Sequence, residues 1–291
     1  GYSKYKNIII NRYKQTADEA QGMFFYLKNI SDNRIWMANY ASFLDKPDKY
    51  NTVFSPDSTK IVRQDGDIEI TANTTVDVEE PIEIRNLKIK NIGNREQILE
   101  VTGSFEPVIS TQIQDISHPV FNDLFLRNEF ENENIIIERR QRDKNAEKIF
   151  LATTLFTENE TIGDIEYELD KEKFFGRGNI QLPEMIKNSK PFSKIVGLIT
   201  EPIIALKRTL KVMPGEEVDL NLIIAVSDTK EKAQKYVNEY KNQARIKKNF
   251  QLEKLKSMEE IRYLGIKGTD TRDYKKLMSL LIVQNELKKN Y

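Results

Sequence analysis

Four sets of side chains are of the right type to act on a ligand. His118, the one histidine, sits in Ser117-His118-Pro119-Val120-Phe121 and could serve as a general base. That role needs a nucleophile and an orienting carboxylate, and no local spacing supplies either; a loop histidine bonded to backbone is the competing reading. Asp65 with Asp67, Glu79 with Glu80, and Asp164 with Glu166 are of the type that cleaves sugars, where two carboxyls flank the scissile bond. In a chain with 45 acids such pairs also arise by chance, and at alternating strand positions they would face solvent. Phe174-Phe175-Gly176-Arg177-Gly178 joins two glycines to an arginine and could cradle an anion. No helix N-terminus clearly follows it, and a tight turn anchored by two buried phenylalanines fits the same residues.

The fourth set is aromatic. Tyr2, Tyr5, Tyr13, Phe24, Phe25, Tyr26, Trp36 and Tyr40 crowd into the first forty residues. Flat aromatic faces stack on sugar rings, and Arg12, Gln15, Gln21 and Asn39 stand nearby to bond hydroxyls. Large sheets use aromatics as core as well, so Trp36, the sole tryptophan, is open to either role.

The elements that would carry these residues are mostly strands. Up to about residue 227, short runs with a two-residue period are punctuated by turn dipeptides. Val218, Leu220, Leu222, Ile224 and Val226 alternate cleanly, and Leu206, Leu210 and Val212 share a phase before Pro214-Gly215; this reads as a hairpin. Asp65-Gly66 and Asn91-Ile92-Gly93-Asn94 mark two further turns. Ile82 and Ile84 lie on one phase, Leu87 and Ile89 on the other, which predicts a β-bulge. Met23 to Ile30, Arg34 to Tyr40, Ile135 to Arg139 and Ile149 to Phe156 are further strand candidates. Many strands without βα alternation imply an antiparallel sandwich.

Near Ser227 the period becomes helical. Ala233, Tyr236, Val237, Tyr240 and Ala244 fall on one face, with Asp228 and Glu231 placed to cap the start. Leu252, Leu255 and Ile261 suggest more helix up to Gly265 or Gly268, and Tyr274, Leu277, Met278, Leu281 and Ile282 a last one. The expected division is residues 1–228 as sandwich and 229–291 as helical linker.

Composition narrows the function classes. Lys plus Arg and Asp plus Glu both number 45 in 291 residues, so there is no basic excess for nucleic acid. Without cysteine there are no disulfides, thiolate sites or cysteine nucleophiles, and one histidine excludes multi-histidine metal sites. Neither a metal nor a cofactor is expected. No apolar run approaches the roughly 20 residues that span a bilayer, so no membrane contact is expected of this piece.

Several segments then carry a resemblance. Gly1-Tyr2-Ser3-Lys4-Tyr5-Lys6, Asn11-Arg12-Tyr13 and Gly22-Met23-Phe24-Phe25-Tyr26-Leu27-Lys28 resemble the N-terminal segment of glycoside hydrolase family 94 (glycosyltransferase family 36). The likeness is strongest to its cyclic β-1,2-glucan synthase and β-1,2-oligoglucan phosphorylase branch. His118-Pro119-Val120-Phe121, Phe174 to Gly178, Glu201-Pro202-Ile203 and Leu264-Gly265-Ile266 agree in the same order. Tyr13 stands where the family often has Trp, and Glu201 where Asp is common.

The resemblance implies a mainly β fold, a galactose mutarotase-like β-super-sandwich followed by linker helices. It also implies that catalysis belongs to an (α/α)₆ barrel not included in these residues, whose Asp protonates the leaving oxygen while phosphate attacks the anomeric carbon. No catalytic residue carries over; the chain is expected to be a non-catalytic, cytoplasmic piece whose parent could sit at the bacterial inner membrane. Implied partners are a β-glucan oligosaccharide, the barrel and a possible second copy. Tyr2, Arg12, Tyr13, Gln21, Trp36 and His118 are the candidate carbohydrate-binding residues. A stand-alone carbohydrate-binding or scaffold module is the alternative. A small mutarotase-like enzyme ranks last, since it needs a base and an acid in one cleft.

Overall fold

The computed structural model describes residues 3–15, 20–39, 46–140, 148–266, 270, 273 and 274. The chain opens with β1 (Lys4–Tyr5), β2 (Ile8–Asn11), β3 (Lys14–Gln15), β4 (Ala20–Gln21), β5 (Phe24–Asn29) and β6 (Ile35–Met37). Longer strands follow: β7 (Lys49–Phe54), β8 (Thr59–Asp65), β9 (Ile68–Val76), β10 (Ile82–Asn91), β11 (Gln97–Phe105) and β12 (Pro107–Thr111). Two short helices, α1 (Gln112–Ser117) and α2 (Pro119–Asp123), precede β13 (Leu126–Glu131), β14 (Asn134–Arg139), β15 (Ile149–Phe156) and β16 (Glu166–Asp170). Then come α3 (Lys171–Phe175), α4 (Glu184–Lys187), β17 (Gly197–Leu198), β18 (Pro202–Val212), β19 (Glu217–Ser227), α5 (Lys230–Glu239) and α6 (Gln243–Tyr263).

A nine-stranded sheet, β17-β13-β14-β15-β19-β10-β9-β8-β7, packs on a five-stranded one, β16-β18-β11-β5-β6. The strand pairs are antiparallel, as in β10 with β19 and β11 with β18. Leu87, Ile89, Leu151, Leu220 and Leu222 of the large sheet meet Leu27, Leu99, Val101, Leu206 and Leu210 of the small one in one buried core. Each such side chain contributes roughly 1.5–3 kcal/mol of apolar burial, which makes this interface the main driving force for folding. Both outer faces are covered too. Tyr26, Met37 and Ala205 of the small sheet lie under Phe174, Met185, Ile186 and Phe192. Ile84, Ile223 and Ala225 of the large sheet lie under Ala233, Tyr236, Val237 and Ile246.

This layering changes two of the local readings. β18 and β19 do not form a hairpin: Pro214-Gly215 carries the chain from the small sheet into the large one. The turn at Asn91 to Asn94 makes the reverse crossing, from β10 of the large sheet to β11 of the small one. Asn91 ties the two crossings together, donating through Nδ2 to Val212 O at 3.0 Å and to Arg95 O at 2.7 Å. Asp65-Gly66, in contrast, does close a hairpin, with Asp65 opposite Ile68. Nor is there a bulge in β10, whose register with β9 and β19 is unbroken. Its phase change has another cause: Ile82 and Ile84 point to the helices, whereas Leu87 and Ile89 point into the sandwich.

The helices depart from expectation in detail. Thr229, not Asp228, caps α5, accepting from Lys232 N–H. Leu252 and Leu255 of α6 are exposed, and its inner face is instead Ile246, Asn249 and Glu253. Asn249 Nδ2 donates to Val76 O at 3.2 Å, so α6 is held by Ile246 in the apolar cluster together with polar contacts. Tyr274 is exposed; Leu277, Met278, Leu281 and Ile282 lie outside the described residues. Among those described, no helix is long and apolar enough to cross a membrane.

Candidate functional site

Of the sequence-selected residues, the structure gathers Arg12, Tyr13 and His118 at one corner. Arg12 follows β2, and its N–H donates to Glu106 O at 2.9 Å, just where β12 begins to pair with β2. β12 then breaks register between Pro107 and Ser110, with Ile109 buried at φ +47°. A left-handed conformation is rare for a β-branched residue, so the surrounding packing must enforce it. The kinked strand delivers Thr111 as N-cap of α1, in a capping box with Gln114. Pro119 starts α2, leaving His118 between the helices.

One guanidinium holds this pair of helices. Arg12 Nη2 is 2.7 Å from Asp115 Oδ1 of α1 and 3.1 Å from Asp123 Oδ1 of α2, while Nη1 is 3.1 Å from Glu106 Oε2. Lys171 Nζ adds a second cation on Glu106 Oε2 at 3.0 Å. Burial alone would lower the Arg12 pKa, but the hydrogen bond to Asp115 and the charges of Asp123 and Asp115 outweigh it, and the net direction is up. Asp123 is pushed up to about 6, because its loss of water outweighs its attraction to Arg12. Further support comes from Asn122, whose Nδ2 donates to Val108 O and whose Oδ1 accepts from Arg139 at 2.6 Å.

The network fixes what the helices present. Ile113, Ile116 and Val120 are 74%, 65% and 61% exposed, and Phe121 and Leu124 are exposed beside them. His118 is exposed within this apolar surface. Tyr13 is exposed next to Arg12, and half-buried Gln21 pairs through its backbone with Lys14. Tyr2 lies outside the described residues. For Trp36 the structure decides between the two readings: it is 1% exposed, inside the core, with no ring face open to a sugar.

The other motifs resolve as follows. Asp65 is not a solvated surface acid; it is buried in a two-point ion pair with Arg63, at 2.5 and 2.8 Å. Glu166 pairs with Lys207 at 3.0 Å, and Asp67, Glu79 and Asp164 are exposed. Phe174 is buried at the end of α3, and Gly176 caps that helix. Among the described residues no group of three or more His, Cys, Asp or Glu is arranged to hold a metal ion. Sequence inspection missed Glu106, Asp115, Asp123 and Lys171, and no local signal could have found them: Arg12 contacts the three acids across 94, 103 and 111 residues.

The chain matches the family model described as glycosyl hydrolase 94, supersandwich domain, over residues 1–243. It is 22% identical over 286 residues to a Rhizobium meliloti (strain 1021) protein described as cyclic beta-(1,2)-glucan synthase NdvB. That alignment covers 97% of this chain and 10% of the relative, so the chain spans about a tenth of its length. Among solved structures, a bacterial glucoamylase complexed with acarbose matches 87% of this chain and 34% of its own, at 11% identity and TM-score 0.48. A Geobacillus stearothermophilus α-galactosidase in complex with stachyose matches 74% of this chain and 33% of its own, at 8% identity and TM-score 0.34.

Proposed function

Because this chain belongs to the glycosyl hydrolase 94 family, through its supersandwich domain, we propose that it is the non-catalytic wall of a β-glucan-processing glycosyltransferase or phosphorylase. In this reading the corner built on Arg12 packs against a catalytic barrel and borders the oligoglucan groove. The observation that carries it is the apolar surface of Ile113, Ile116, Val120 and Phe121, braced by one half-buried arginine and three carboxylates. Monomeric proteins seldom keep so many large apolar side chains together in water unless a partner covers them.

Within the corner, Tyr13 and His118 are the proposed sugar contacts, together with Gln21, which pairs with Lys14 in the strand after Tyr13. The Arg12 donors are already engaged by carboxylates, so Arg12 acts as a positioning residue. The surface supplies shape and excludes water, while the barrel carries the proton donor.

Titration with β-1,2-gluco-oligosaccharides tests this. The chain alone should bind them weakly and release no glucose 1-phosphate when phosphate is added. Addition of a family barrel in trans should strengthen binding, and Ile116→Asp with Val120→Asp should abolish that gain without unfolding the chain. Phosphorolysis by the pure chain would overturn the proposal.

A further inference from the structure

The loop between α3 and α4 frames a cleft of about 360 Å³ that the corner at Arg12 does not use. Its frame is tightly wound. Gly176 has φ +54°, and a Cβ there would come within 2.3 Å of Glu184 Oε2. At Gly178 a Cβ would meet Leu182 O at 2.4 Å. With glycine at both positions, Glu184 Oε2 accepts from Arg177 N–H at 2.9 Å, and Asn179 Oδ1 accepts from Gln181 and Leu182 N–H. The small sheet braces the loop from beneath. The Tyr26 hydroxyl donates to Ile180 O, and the buried Lys28 ammonium donates to Ile186 O at 3.2 Å and Lys187 O at 2.9 Å.

Two cations line this frame, and of the acids only Glu184 acts on Arg177, through its charge and not through a side-chain contact. Neither the Arg177 guanidinium nor the Lys187 ammonium makes a hydrogen bond or ion pair with a described residue. Glu184, the one carboxylate of the cleft, is already engaged by Lys190 Nζ at 2.8 Å. Asn179 and Asn188 add side-chain amides, and Leu182 an apolar floor. The volume exceeds what a bare oxyanion fills and suits a single sugar ring carrying one.

We infer that the cleft binds a phosphorylated sugar, its phosphate held by Arg177 and Lys187 and its hydroxyls by the amides of Asn179 and Asn188. A guanidinium offers two parallel N–H bonds to a phosphate, and the lysine adds a mobile point charge. The Asn188 amide can both donate and accept, while Asn179, whose Oδ1 is engaged by Gln181 and Leu182 N–H, offers its Nδ2 donors. This site is separate from the corner at Arg12 and stands whether or not the chain works on β-glucan.

Isothermal titration of the full chain with glucose 6-phosphate tests it, with inorganic phosphate and glucose as the other arms. The phosphorylated sugar should bind at least tenfold more tightly than either, and less tightly as salt rises. Arg177→Ala combined with Lys187→Ala should weaken it at least tenfold at unchanged Tm, because both side chains are exposed. Gly176→Ala, which displaces Glu184, should weaken it as well. Inorganic phosphate binding as well as the sugar phosphate would reduce the cleft to an anion site and overturn the inference. So would equal binding of glucose, no binding at millimolar glucose 6-phosphate, or indifference to the double substitution.

Discussion

Arg12 Nη2 and Asp115 Oδ1 lie 2.7 Å apart across 103 residues of sequence. The bond closes a corner in which Nη2 also reaches Asp123 and Nη1 reaches Glu106. Arg12→Ala would leave these part-buried acids with Lys171, on Glu106, as the one ion-paired cation among the described residues. Removing one partner of a fully buried ionic network costs about 3–5 kcal/mol and of an exposed one about 0–1, so this part-buried network should lose about 2–3 kcal/mol. A urea midpoint shift of that order is expected, with Arg12→Lys in between because one ammonium cannot bridge three carboxylates.

Asp123 makes the corner pH-dependent. In the folded chain it takes up its proton at about 6, against roughly 3.9 in an unfolded chain. Between those values the folded state holds more protons, so the contribution of this group to stability falls as pH rises through the window. Asp123→Asn removes that slope. The stability of the wild type relative to this variant should therefore be larger at pH 4.5 than at pH 7, by about 1–2 kcal/mol. Paired denaturation curves across that range check it; a difference that grows toward pH 7 would contradict the assignment.

Trp36 separates packing from ligand contact. Its ring is buried and its Nε1 has no hydrogen-bond partner among the described residues. Trp36→Ala should cost about 3–5 kcal/mol, since it empties a core site. Trp36→Phe should cost far less than truncation to Ala, because it also removes the unsatisfied donor. Oligosaccharide binding by Trp36→Phe should equal that of the wild type.

Asn91 offers a test of the two crossings between sheets. Its Nδ2 donates to two backbone carbonyls, and its Oδ1 accepts from Gly93 N–H at 3.0 Å. Asn91→Asp is nearly isosteric but turns the donor into an acceptor facing Val212 O and Arg95 O. The expected loss is about 2–3 kcal/mol, read by urea denaturation, with faster amide exchange at Gly215, whose N–H donates to Asn91 O.

Much of the fold is legible along the chain. The two-residue alternation from Val218 to Val226 marks a strand whose even-numbered side enters the sandwich core, and the spacing of Ala233, Tyr236 and Val237 marks a helix with one apolar face. Such periods survive because each face of an element meets one environment, and that environment is written into every second or every third and fourth residue. What alternation cannot say is which layer lies on which side. β18 and β19 read as a hairpin and are strands of different sheets, because a Pro-Gly turn is compatible with either route. Ile84 and Leu87 read as a bulge and are the two faces of one straight strand, covered by different layers.

The residue types and their order therefore determined the antiparallel sandwich, the helical tail, the family resemblance and the interest of Arg12, Tyr13 and His118. Tertiary structure alone decided that Trp36 is core, that Asp65 is a buried partner of Arg63, and that Arg12 is spent on Glu106, Asp115 and Asp123. The reason is physical: hydrophobic periodicity is a local property, repeated within a few residues. The partner of a buried charge is set by which distant segments the sheets bring together, and a single polar residue carries no mark of the one it will meet.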